Sequence, residues 1–151
     1  MREEGAGWAE TVSRWGIPLL SLIGIGVSGY LTWSHLAGQS PYCGSYHGCE
    51  TVQSSPYAEV GGVPVAAVGL LGYLILLGLS LLRGRVRGEM AFYLPVALFG
   101  VALIGFLYSL YLTYLEAFVI RAWCFWCVTS ALVITAIFTL TVLDLGRAWE
   151  V

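Results

Sequence analysis

Trp123-Cys-Phe-Trp-Cys-Val-Thr-Ser-Ala-Leu-Val-Ile-Thr-Ala-Ile-Phe-Thr-Leu-Thr-Val-Leu143 contains no charged residue and opens on two cysteines. Its length matches the roughly 20 helical residues needed to cross the hydrocarbon core of a bilayer. Three more apolar runs precede it, at about 16–36, 63–82 and 91–115. Inside lipid every backbone N–H and C=O must be satisfied within its own segment, so each run is expected to be a helix. Pro18, Gly24, Gly26, Gly69, Gly72, Pro95, Gly100 and Gly105 fall inside the runs. Membrane helices tolerate such residues, and the small ones let helices approach closely. The third run is the longest and can tilt to fit. Composition agrees, with 58% hydrophobic and 11% charged residues, against about 25% charged in soluble domains. The expectation is an all-α integral membrane protein, a four-transmembrane-helix bundle occupying 1–151 as a single membrane domain.

The chain has no lysine, so its arginines set the orientation. Arg2, Arg14, Arg83, Arg85, Arg87 and Arg147 fall on one side of the four spans, and Arg121 alone on the other. The positive-inside bias puts both termini and the 83–89 connection in the cytoplasm. The 37–62 loop and the short 116–122 loop then face outward. A cleaved signal peptide fits poorly, because Glu3, Glu4 and Glu10 precede a long apolar run that no A-x-A site follows. The polar first dozen or so residues are expected to fray, or to lie on the membrane surface through Trp8 and Trp15.

The outward assignment gathers all four cysteines on one face, which in bacteria is the oxidising side. Cys124-Phe-Trp-Cys127 opens the last helix, and its i, i+3 spacing puts both sulfurs on one side of the first turn. Free N–H groups and the partial positive charge at a helix start favour thiolate, hence a reactive dithiol. Two structural thiols, or half of a metal site, would read the same way. Cys43 and Cys49 lie in a segment made pliable by Gly44 and Gly48. Taken alone, that pair serves equally as a mobile shuttle or as a static disulfide fastening the loop. Zinc would use the four cysteines, with His47 nearby, but the C-x5-C spacing is wider than structural zinc sites use. His35 and His47 are expected to be interfacial and loop residues.

Thiol–disulfide exchange moves a disulfide without creating one, so a relay needs a terminal acceptor. No flavin or nucleotide fingerprint is expected: neither a G-x-G-x-x-G nor a P-loop is read in the chain. Val128, not His, follows the C-x-x-C, which removes haem attachment. The apolar setting of the last pair leaves a lipid-soluble quinone as the acceptor most compatible with it.

Cys43-x5-Cys49-Glu-Thr-Val-Gln-Ser-Ser55, then Tyr57-Ala-Glu-Val-Gly-Gly-Val-Pro-Val65 and Leu70-Leu-Gly-Tyr73, with Cys124-x-x-Cys127 at the last helix, resembles the bacterial branch of the vitamin K epoxide reductase family. The resemblance runs from the first span to the last. It implies four helices around a quinone pocket, capped by the cysteine-bearing outer loop. It implies that Cys43 exchanges with a separate thioredoxin-like protein outside the cytoplasm. Cys49 then passes electrons to Cys124, and Cys127 is the sulfur nearest a quinone of menaquinone or ubiquinone type. Ser55 would support the reactive sulfur or bond the quinone; Ser54 and Ser55 before Pro56 would also suit a helix start. Phe125 and Trp126 are candidates to line the quinone entrance. The implied localisation is the bacterial inner (plasma) membrane. Many bacterial members carry a fused thioredoxin-like domain, whereas this chain ends soon after its last span. Vertebrate members have Tyr four residues after the last Cys; here Ala131 stands there, which weighs against vitamin K epoxide as substrate.

Other classes make different demands. The second bacterial quinone-linked disulfide oxidase family places its C-x-x-C in the first outer loop, not the second. A membrane protein with purely structural disulfides would show no quinone dependence, and an epoxide or quinone reductase would work in a quinone cycle. Transporters carry ionisable groups within their spans, and none is evident here. Glu50, Glu59 and Glu116 are expected to be solvated loop charges, and Arg121 an interfacial anchor or a partner for the Cys124 thiolate. Trp33, Tyr42, Tyr46, Tyr57, Tyr114, Trp123 and Trp126 fit an aromatic belt.

Overall fold

A computed structural model of the chain describes residues 2–38, 59–83, 85–86, 88–121 and 125–150. Cys43, Cys49, Ser55 and Cys124, like His47 and Glu50, lie outside the described residues. Helix α1 spans Arg2–Leu36, α2 Val65–Leu82, α3 Glu89–Tyr114 and α4 Phe125–Glu150. Two short strands, β1 (Glu59–Val60) and β2 (Val63–Pro64), pair antiparallel just before α2, with Glu59 opposite Pro64 and Val60 opposite Val63. Gly61 and Gly62 supply the positive φ that this two-residue turn requires.

Four segments are long and apolar enough to cross a membrane: Arg14–Leu36, Val65–Leu82, Phe92–Ile120 and Phe125–Gly146. The sequence-derived spans hold, and two of their ends move. The first helix starts at Arg2 rather than after a frayed tail. The third helix does not stop at 115. It continues as a π-helical turn, Leu115–Ile120, and closes at Arg121, whose φ of 58° is left-handed. The expected 116–122 loop is therefore mostly helix, since i→i+5 bonding keeps the backbone satisfied beyond the α-helical end.

The helices form a ring in chain order: α1 packs on α2 and α4, and α3 on α4, while α2 and α3 approach one another least. On α1 the inward stripe is Ile17, Ser21, Gly24, Ser28 and Leu31, at i, i+4, i+7, i+11 and i+14. Gly24-Ile-Gly-Val-Ser-Gly29 spells the G-x-G-x-x-G spacing, but within a membrane helix with no strand before it. This corrects the expectation of no such spacing, but the run lacks the context of a dinucleotide loop, and of its glycines only Gly24 meets a neighbouring helix. The core combines Ile17 from α1, Tyr73 and Leu76 from α2, Leu98 and Ala102 from α3, and Val133, Ile134 and Ile137 from α4.

A Cβ on Gly24 would come within 2.4 Å of the Tyr73 ring. Gly24 thus provides the groove into which Tyr73 fits, the use of small residues expected between membrane helices. At the far end from Cys127, Arg83 donates to the buried carboxylate of Asp144, tying the end of α2 to α4. Asp144 lies one residue beyond the sequence-derived span, and its burial corrects the expectation of no buried charge.

Gly24→Val should force Tyr73 out of place and cost about 1–3 kcal/mol, the usual range for overpacking. Gly26→Ala, with open space beyond its Cα, should leave stability unchanged or slightly raised. Thermal unfolding of the two variants in one detergent checks this.

Candidate functional site

Between the hairpin end of the bundle and its middle lies a cavity of about 480 Å³. All four helices and the π turn contribute to its wall, which is mainly apolar: Leu31, Val101, Ile104, Leu112 and Ile134 are representative. Gly69 and Gly72 of α2 and Gly105 of α3 also line it, and their missing side chains leave the space open. The size falls within the few hundred to about 1,000 Å³ typical of small-molecule pockets.

On α4 the cavity face is Cys127, Ser130 and Ile134, at i, i+3 and i+7. Cys127 is half-buried, in the first turn of the helix. The same helical geometry turns its neighbours away. Phe125 is 60% exposed, and Trp126 packs on Tyr30 of α1 with ring centroids 5.0 Å apart. Neither lines the cavity, and Trp126 instead fastens the start of α4 to α1.

Tyr73 lies where the cavity meets the core, also lining the wall. Its hydroxyl donates to the Ser130 carbonyl at 2.9 Å and lies 2.8 Å from Ser130 Oγ. A phenol has one proton to give, so the serine hydroxyl donates back to it. This double bond crosses the ring from α2 to α4 and fixes the face that carries Cys127. Ser28, Ser109, Thr113 and Tyr108 place further hydroxyls on the wall, of which Thr113 donates to the Ser109 carbonyl at 2.8 Å.

Glu116 departs from its expected place. It is 4% exposed and lines the cavity from the π turn. The reason is periodicity: Gly105, Ser109, Leu112, Glu116 and Ile120 recur every three or four residues along one face. Continuing the third span's pattern by one turn would have revealed it. Glu59, in contrast, is exposed as expected and accepts a 2.7 Å hydrogen bond from His35 Nε2. That bond joins the end of α1 to β1, so the segment bearing Cys43, Cys49 and Ser55 leaves and rejoins the fold at the cavity's end. Arg121 is exposed, as an interfacial residue should be. No group of three or more metal-ligating side chains occurs among the described residues.

A ring of four membrane helices, hollow at one end and carrying a cysteine sulfur in the hollow's wall, defines a membrane-embedded redox protein. Residues 15–142 match the profile of the vitamin K epoxide reductase family, and the chain belongs to that family. It is accordingly a multi-pass membrane oxidoreductase of a quinone-linked family. Membership removes the transport and purely structural readings, and it supersedes the argument from missing buried charge, which Glu116 and Asp144 overturn.

Tyr73→Phe should cost about 1 kcal/mol, the net worth of a typical hydrogen bond. Ser130→Ala should cost less, because the carbonyl still accepts. The double variant should cost less than the sum of the two, and a double-mutant cycle on unfolding midpoints measures the difference.

Proposed function

We propose that the protein makes disulfides by passing electrons from a reduced thioredoxin-like protein, through Cys43/Cys49 and then Cys124/Cys127, to a quinone of menaquinone or ubiquinone type. The observation that carries this reading is the position of Cys127 in the wall of an otherwise apolar cavity that reaches the middle of the bundle. In orientation, the positive-inside bias favours cysteines on the outer face of a bacterial plasma membrane and cytoplasmic termini. The family commonly works with thioredoxin-like partners, and in this reading the partner is a separate chain and 1–151 a single functional domain.

The residues present fit a quinone. The wall is apolar and glycine-lined, as a flat ring requires, and its serine, threonine and tyrosine hydroxyls suit carbonyl oxygens. A bound quinone supplies an acceptor for two electrons and two protons. Everything else falls to the chain. Cys127 sits in the first turn of α4, on the side of the helix that lines the cavity. Ser130 and Tyr73 hold the cavity face of that helix in register. The apolar lining excludes water, so a reactive sulfur is shielded from side reactions. Cys124 completes the dithiol; oxidation of the pair leaves a Cys124–Cys127 disulfide, which the reduced Cys49 thiolate attacks at Cys124, so that electrons pass from the loop pair to the helix pair. Cys43 exchanges with the soluble partner, and Ser55 supports the reactive pair. Phe125 and Trp126 flank the cavity mouth from outside rather than contacting the ring.

Under anaerobic conditions the purified protein should reduce quinone with a dithiol donor, and Cys127→Ala should not. Cys43→Ala should keep activity with a small dithiol and lose it with the protein partner. If wild type reduces neither ubiquinone-type nor menaquinone-type acceptors, or Cys127→Ala matches it, the proposal fails.

A further inference from the structure

Glu116 is a carboxyl side chain in a membrane helix, 4% exposed and set in the wall of the cavity that Cys127 also lines. Ionisable groups in such positions are expensive and mark proton or ion pathways. The backbone carrying it is a π-helical turn, Leu115–Ile120, and such turns recur at functional sites. The π turn delivers Glu116 inward at the end of α3, whereas the next charged residue, Arg121, is exposed.

Dithiol oxidation releases protons as well as electrons. Two S–H bonds break, one S–S bond forms, and two electrons and two protons must reach the acceptor for quinone to become quinol. The mainly apolar wall offers few groups that could carry the protons. We propose that Glu116 is the cavity's proton-holding residue: its carboxylate takes up, one after the other, the two protons released when the Cys124–Cys127 dithiol is oxidised and gives them to the carbonyl oxygens of the quinone. This rests on the function proposed above. The other titratable groups facing the same space, among the described residues, are Cys127 from α4, Tyr73 from α2 and Tyr108 from α3. From α1 the cavity receives only Ser28 and Leu31. Neither phenol is a carboxyl, and Tyr73 is already engaged with Ser130. Glu116 is the one carboxyl among the described groups that line this space.

Two measurements on the full chain test this. The first is redox-difference infrared spectroscopy without added quinone, comparing wild type, Glu116→Gln and Glu116→Asp. Wild type should show a carboxylic C=O band that changes when the cysteines are oxidised and shifts in D2O. Glu116→Gln should lose the band, and Glu116→Asp should keep it at a shifted position. The second follows reduction of menadione and of a short-chain ubiquinone by dithiol-reduced protein across pH. Glu116→Gln should slow it about 10²-fold, the lower end of general acid–base effects, with unchanged quinone affinity. It should also lose the decline at low pH that wild type shows as the carboxylate becomes protonated before the dithiol is oxidised. Glu116→Asp should recover part of the rate. Absence of any redox-linked carboxyl band in wild type overturns the proposal, even if Glu116→Gln fails to fold. So does a Glu116→Gln protein with wild-type rate and pH profile. Wild type that reduces no quinone refutes the function itself, a separate outcome that the infrared experiment does not depend on.

Discussion

Tyr73 spans the bundle, its ring seated over Gly24 of α1 and its hydroxyl bonded to Ser130 of α4. The two halves of the molecule divide at that contact. Toward Arg83, leucine, isoleucine and alanine side chains from all four helices fill the interior. Toward the hairpin, glycines and hydroxyl residues line an open space. Without the Gly24 groove, the Tyr73 ring would hold α1 and α2 apart. Without Tyr73, the Arg83–Asp144 pair at the far end would be the one described hydrogen-bonded link left between α2 and α4. One aromatic side chain therefore closes the packed half and floors the hollow one.

A water-soluble bundle could rely on burial of apolar surface to hold its helices together. In lipid that drive is absent between helices, because acyl chains are as apolar as leucine. Close contact and polar links must contribute instead. This chain has both: small residues along α1, and polar links at each end and across the middle. Arg83–Asp144 closes one end, Tyr73–Ser130 the middle, and His35–Glu59 the hairpin end. The three differ in setting. Asp144 is buried, so its pair with Arg83 is little screened, whereas Glu59 is half-exposed and its bond is screened by water. The hairpin link is thus the weakest of the three, at the end where a soluble partner would have to gain access.

The four spans were legible because length and hydropathy decide whether a segment crosses a bilayer, and no tertiary context can override that requirement. The family was legible because the order and spacing of Cys43, Cys49, Ser55, Cys124 and Cys127 carry it. Span ends were less so. Hydropathy drops at Glu116, which reads as the start of a loop, yet the backbone continues helically to Ile120 and takes the carboxyl inward. Asp144 was missed in the same way, one residue past an apolar run. Phe125 and Trp126 illustrate a different gap. Lying between two cysteines suggests a place at the site, but residues one and two positions from Cys127 are rotated off its face. The Tyr73–Ser130 bond joins residues 57 apart in sequence, and no local pattern announces such a pair.

The location of the hollow follows from the chemistry it would serve. In the proposed relay the dithiol of α4 must meet the loop cysteines on one side and a lipid-soluble acceptor on the other. A cysteine in the first turn of a helix that lines the cavity, as Cys127 is, suits that place. A cavity confined to the middle would be out of reach of the loop cysteines, and a fully packed bundle would leave the sulfur facing lipid. Opening the bundle at the hairpin end alone, and packing it below Tyr73, meets both demands while the lower half keeps the helices in place. Placing Glu116 in the same wall fits that division, since a dry pocket that accepts electrons from thiols must also account for their protons.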